Sequence, residues 1–134
     1  LDARKVSLDE LFETADVVSL HCPYLPSTHH LVDAARLRSM KRTAYLVNSA
    51  RGPIVDEEAL VAALQAGEIA GAGLDVFEKE PAVHPGLLAM ENVVLLPHLG
   101  SATTETRSAM AELAADNVLA VLRGDAPLTA VTAL

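Results

Sequence analysis

"YLVNSARGPIVDEEAL", residues 45–60, passes from an apolar run through a polar turn into an acidic helix start. The apolar residues of "TAYLVN" read as a short buried strand. Gly52 and Pro53 make "NSARGPIV" a loop. Asp56 is an N-cap for a helix over "EEALVAALQA", and Gly67 ends that helix at its C′ position. Strand, loop and helix in this order form one βα unit. Arg51 stands at the mouth of the strand, between Ser, Ala and Gly residues too small to cover it. One reading is a surface arginine in a turn. The other is a planar guanidinium left bare to grip a carboxylate through two parallel hydrogen bonds.

The same pattern extends in both directions. Upstream, Ser7-Leu8-Asp9-Glu10 has capping-box spacing, so a helix should run to about Thr14. "ADVVSL" is a strand ending near Leu20, "HCPYLPSTHH" is a loop with two prolines, and Asp33 caps a helix through "AARLRSM". Downstream, "IAGAGLDVF" is a strand and "EKEPAVHPGLLAM" a loop with one helical turn. "NVVLLP" is a further strand, and a long helix spans Thr103 to Leu122 before Gly124 closes it. The order α-β-α-β-α-β-β-α predicts an α/β fold, a parallel sheet covered by helices.

Composition narrows the function. The chain has 134 residues, one ordinary domain or part of a larger one. Its net charge of −8, without a basic stripe, argues against nucleic acid and against an anionic membrane surface. Two Tyr, two Phe and no Trp leave no aromatic platform for stacking bases. Cys22 is the single cysteine, so an internal disulfide is excluded and a reducing, cytoplasmic setting is expected. No apolar run is long enough for a membrane span. The N-terminus has neither a signal-peptide core nor an initiator Met, and a fragment of a longer protein is expected.

In parallel sheets ligands bind at the carboxyl ends of the strands. The four expected strands end at His21-Cys22-Pro23, at Ser49-Ala50-Arg51-Gly52, at Asp75 with Glu78 and Glu80 beyond it, and at His98-Leu99-Gly100-Ser101. An arginine, carboxylates and histidines therefore meet at one edge, where a structural core needs none of them. His98 suits a general acid near neutral pH. Glu80 and Glu78 can each orient its ring and favour its charged form, and Pro81 favours Glu80 by fixing the backbone after it. Gly71-x-Gly73 lacks the third glycine of a dinucleotide fingerprint and reads better as a close approach, with Asp75 an acceptor at the strand end. His21, Cys22, His29 and His30 do not make a persuasive zinc site, and no metal is expected. His84 reads as a loop histidine. Cys22 has no helix N-terminus close behind it to make it a nucleophile.

The motifs "ADVVSLHCPYLPSTHHLV", "LVNSARGPIVDEEALVAAL", "GAGLDVFEKEP" and "LLPHLGSAT" together resemble the D-isomer-specific 2-hydroxyacid dehydrogenases, over about Ser7 to Val131. "GLDVFEKEP" with "LPHLGSATTETRSAMAELAADNVLA" is most similar to the glyoxylate/hydroxypyruvate reductase branch. The resemblance implies the second half of a Rossmann-like NAD(P)-binding domain over 1–134, its helix 103–122 leading back to an absent substrate domain. It also implies a parent of roughly 300 residues, whose Gly-rich phosphate loop lies upstream. It implies roles as well. Arg51 falls on the arginine that binds the substrate carboxylate, Glu80 on the glutamate that holds the catalytic histidine, and His98 on that histidine. Asp75 falls on the residue that binds the cofactor's carboxamide, and Pro23, Ser49, Ala50, Arg51, His98, Gly100 and Ser101 fall on cofactor-contacting positions. The implied cofactor is NAD or NADP, the partner a small 2-oxo acid, and the assembly a homodimer.

Two other classes stay open at this stage. One is a dinucleotide-sensing module like the family's transcriptional corepressors, which bind without turnover. The other is a hydrolase using His98 and Glu80 as a base pair, although no Ser or Cys nucleophile with a suitable elbow supports it.

Overall fold

The computed structural model describes residues 3–131. Helix α1 (Leu8–Thr14) leads to β1 (Val17–Leu20), α2 (Ala34–Ser39) and β2 (Tyr45–Asn48). A 3₁₀ turn over Gly52–Ile54 follows, then α3 (Glu57–Gln65), β3 (Gly71–Leu74), α4 (Pro85–Leu88), β4 (Val93–Leu95) and α5 (Thr104–Leu122). The helix boundaries follow from their caps. Ser7 accepts from the Glu10 amide, Asp33 from Arg36, Asp56 from Ala59 and Thr103 from Thr106. Each such cap is worth about 1 kcal/mol to its helix. Gly67 and Gly124 follow α3 and α5 at φ of 64° and 86°, the left-handed conformation glycine adopts without strain.

The four strands are all parallel and lie side by side in sequence order. Each crossover therefore moves to the next strand in the same direction. With right-handed crossovers, α2, α3 and α4 fall on one face of the sheet. The register row Val18–Leu46–Ala72–Val93 points to that face, with Leu20 and Leu74 beside it. It packs with Phe12 of α1, Leu37 of α2, Leu60 of α3 and Leu87 of α4 into one buried core.

The opposite face is the one that the crossover helices α2, α3 and α4 leave uncovered. Its rows, Val17–Tyr45–Gly71 and Ser19–Val47–Gly73–Val94, leave Val17, Tyr45 and Val94 exposed. Sequential strand order leaves them without a crossover helix, because it sends each such helix to the other side. The strands are also shorter than their apolar runs. β3 covers four of the nine residues of "IAGAGLDVF", because the chain leaves the sheet after Asp75, whose amide makes its last bond to the Asn48 carbonyl (2.9 Å). The expected loop "NSARGPIV" contains the 3₁₀ turn, with Pro53 in its first positions.

The chain divides into two compact units, one ending at His98 and one beginning at Leu99. In the second, the segment after α5 folds back on the helix. Asn117 donates to Thr129 Oγ1 (3.0 Å) and accepts from the Thr129 amide (3.1 Å). Among the described residues of α5 only Ala120 is buried.

Candidate active site

The carboxyl edge of the sheet is organised by the turn after β2. Asn48 is buried and both ends of its amide are engaged: Oδ1 accepts from the Ala50 N–H (3.1 Å) and Nδ2 donates to the Arg51 carbonyl (3.0 Å). Asn closes such turns because its short amide mimics a backbone peptide. Arg51 leaves the turn extended and exposed, and its Nη1 donates to the Ala50 carbonyl at 2.6 Å. Gly52 is pressed against the next loop, where a Cβ would fall on the Phe77 carbonyl. A side chain at 52 would push the Arg51 turn away from the β3 loop.

Beyond β3, the Phe77 amide donates to Glu80 Oε1 (3.0 Å) and Glu80 Oε2 meets His98 Nδ1 (3.0 Å). The hydrogen bond from His98 is the largest influence holding the Glu80 carboxyl below the usual carboxylate range. The Phe77 amide and the charge of Arg51 add to it, and partial burial opposes them. Glu80 is thus ionised at neutral pH and fixes the imidazole tautomer. His98 sits at φ 56°, the left-handed region, with its amide bonded to the Asp75 carbonyl (2.9 Å). A left-handed non-glycine residue costs on the order of 1 kcal/mol and clusters at functional sites. Asp75 itself is buried.

Glu78 belongs elsewhere. Its carboxylate takes hydrogen bonds from His30 Nε2 (2.9 Å) and the Glu57 amide (3.3 Å), and its own amide donates to Glu57 Oε1 (2.7 Å). Glu57 is buried, and burial above all raises its carboxyl above the ordinary value, with the Glu78 charge adding to the effect. His84 caps α4 and contacts Glu58 (3.0 Å). His21 bonds Ser19 (2.9 Å) and His29 stacks on His30. Among the described residues no three His, Cys, Asp or Glu side chains are grouped to hold a metal ion.

Six of the candidate residues line two clefts, and Asp75, Gly100 and Ser101 line neither. One, of about 630 Å³, lies between His21–Tyr24 and Ser49–Arg51, so it holds Pro23, Ser49, Ala50 and Arg51. The other, of about 410 Å³, is lined by Phe77, Glu80, Pro81, Val83, Pro97 and His98. Both volumes lie in the range of small-molecule sites. The first lies at parallel strand ends, where α/β sheets bind their ligands. Gly100 and Ser101 fall in the second unit, in the turn before α5, where the Ala102 amide bonds the Leu99 carbonyl (2.9 Å).

The sequence singles out Arg51, Glu80 and His98 as candidates; it does not single out Asn48 or the Phe77 amide, whose hydrogen bonds shape the same edge. An Asn between an apolar strand and two small residues was the available signal for the first. The second is a backbone group and leaves no mark in the sequence.

The sequence model of the D-isomer specific 2-hydroxyacid dehydrogenases, NAD binding domain, matches residues 1–100. A glyoxylate reductase of Thermofilum pendens is 59% identical over 122 residues, 90% of this chain and 36% of that protein. A glyoxylate/hydroxypyruvate reductase B of Escherichia fergusonii is 54% identical over 125 residues, 92% of this chain and 39% of that one. A crystal structure of an NADPH-dependent glyoxylate/hydroxypyruvate reductase from Sinorhizobium meliloti, in complex with NADP and malonate, superposes with a TM-score of 0.91 at 45% identity. It is matched over 94% of this chain and 40% of its own. The chain thus spans well under half the length of these relatives.

Proposed function

We propose a reaction from one premise: the chain belongs to the D-isomer specific 2-hydroxyacid dehydrogenases, and residues 1–100 match their NAD-binding domain. The reaction is the reduction of a small 2-oxo acid, of the glyoxylate or hydroxypyruvate type, to the D-2-hydroxy acid, and its reverse. The observation that carries this reading is the Glu80–His98 contact on the same strand-end edge as the uncovered guanidinium of Arg51.

Arg51 grips the substrate carboxylate and draws charge towards its side of the carbonyl. Glu80 holds His98 by Nδ1, so proton transfer falls to Nε2. From there His98 protonates the substrate oxygen during reduction and takes the proton back during oxidation. A bound NAD or NADP supplies the hydride chemistry. Asp75 and the backbone at Pro23, Ser49, Ala50, Arg51, His98, Gly100 and Ser101 are assigned to hold it, so the His98 side chain stays free for the proton.

The same proposal makes residues 1–134 part of an NAD(P)-binding domain whose helix α5 leads towards a substrate domain. A homodimer in the cytoplasm completes it; the single cysteine supports the reducing compartment, and no helix among the described residues is long and apolar enough to cross a membrane.

The test uses the protein as its gene encodes it. His98→Ala should lower kcat with glyoxylate by about 10²- to 10⁴-fold while NADPH or NADH binding stays near normal. Unchanged turnover would remove His98 as the proton donor. Arg51→Ala should impair glyoxylate far more than a neutral ketone; an equal loss on both would remove the clamp.

A further inference from the structure

We propose that Asn48 is a positioning residue for Arg51: its buried amide holds the turn in the one shape that presents the guanidinium to a substrate carboxylate. The proposal rests on the clamp reading of Arg51 and deepens it.

The geometry is specific. Asn48 is 1% exposed, so its amide reaches no ligand. Its two polar atoms are spent on the Ala50 amide and the Arg51 carbonyl, the two backbone groups that flank the Ala50–Arg51 peptide. That peptide's carbonyl, on Ala50, is the group on which the Arg51 Nη1 rests at 2.6 Å. Asn48 therefore fixes the peptide, and the peptide fixes the guanidinium. The far side of the turn is fixed as well, because Gly52 abuts the Phe77 carbonyl, and the amide of the same Phe77 holds Glu80 Oε1. The Asn48 carbonyl, meanwhile, accepts the Asp75 amide, and the Asp75 carbonyl accepts the His98 amide. One buried asparagine thus ties the arginine, through short covalent and hydrogen-bonded steps, to the strand ends that carry the glutamate–histidine pair. Misplacing a clamp by about 1 Å can cost on the order of 10²-fold in rate.

A double-mutant cycle in the protein as its gene encodes it tests this, with glyoxylate as substrate and oxalate as a carboxylate that cannot be reduced. Asn48→Ser shortens the side chain to a single hydroxyl, which lacks the second polar atom and the reach by which the amide bridges the Ala50 amide and the Arg51 carbonyl. In the presence of Arg51 it should lower kcat/KM for glyoxylate by roughly ten- to a hundredfold. The loss should fall mainly on KM, and the dissociation constant of oxalate should rise in parallel. On an Arg51→Ala background the same substitution should cost less than about twofold. A loss of the same size in both backgrounds overturns the proposal, because Asn48 would then be supporting the fold at large. Should Asn48→Ser not fold, Asn48→Asp preserves the side-chain shape and is judged by the same cycle. If Arg51→Ala alone leaves glyoxylate use and oxalate binding unchanged, the clamp reading falls and takes this proposal with it. If Arg51→Ala is damaging and the cycle is additive, only the role of Asn48 falls.

Discussion

Leu46 and Tyr45 are neighbours on β2; Leu46 is fully buried, whereas Tyr45 is 51% exposed. The same division runs across the sheet. Val18, Ala72 and Leu74 are buried on the face that α2, α3 and α4 cover, while Val17 and Val94 stand open on the other. Both faces are apolar, so the strands look alike as sequence. The difference lies in topology. A row of parallel strands in sequence order places its crossovers on one side and leaves the other without cover from those helices. Apolar character in a strand reports that a face can be buried; the order of the strands decides which helices bury it.

Substitutions on the two faces, and at the caps that hold the covering helices, measure how deep this contrast goes. The largest effect is expected at Leu46→Ala, which deletes a side chain from the centre of the covered face. It should lower the unfolding free energy in urea by about 2–5 kcal/mol. A cost below 1 kcal/mol, on the order of a surface change, would show that the covered face is not the stabilising one. Asp33→Ala removes the N-cap of α2 and should cost about 1 kcal/mol. That cost should shrink in acid: Asp33 is held below its ordinary value chiefly by the Arg36 amide, so its contribution is present at neutral pH and is lost as pH falls below about 4. An Asp33→Ala deficit that stays constant down to pH 2 would remove the carboxylate from the cap.

Glu57→Gln works in the opposite sense. Burial raises the Glu57 carboxyl, so the folded state favours its neutral form. Stability associated with that form is full at low pH and declines as pH rises through the raised value. Gln keeps an oxygen for the Glu78 amide and carries no charge. The variant should therefore gain stability over the parent at pH 7 and lose that advantage by about pH 4, followed by urea unfolding at each pH. A deficit at pH 7 would mean that the charged form is the one the fold prefers. The smallest effect is expected at Tyr45→Thr on the open face, within about 0.5 kcal/mol. A cost equal to that of Leu46→Ala would break the comparison, since it would show the open face covered in solution.

Much of this was legible. Ser7, Asp33 and Asp56 announced their helices by capping chemistry, which is local and needs no tertiary partner. The choice of Glu80 over Glu78 as the partner of His98 came from motif resemblance and from Pro81, and Glu80 does contact His98. The destination of Glu78 was not legible, because His30 and Glu57 reach it from 48 and 21 residues away. Which face the crossover helices cover is hidden for the same reason: alternation within one strand cannot say what lies across from it. The apolar run of "IAGAGLDVF" overstates β3 because its sequence stays apolar after the backbone has left the ladder.

Outside the sheet, the loop after β1 and the loop after β2 are laced by their own short parallel ladder. The His30 amide bonds the Pro53 carbonyl, Val32 bonds Ile54, and Asp56 bonds Val32, at 2.9 to 3.1 Å. The three amides have separate acceptors but belong to the same pair of segments, so one separation of the two loops should expose all three. In native-state hydrogen exchange they should report a common protection free energy and respond together to denaturant. Pro53 and Ile54, whose carbonyls hold His30 and Val32, follow directly on Arg51 and Gly52, so the ladder anchors the far end of the arginine turn.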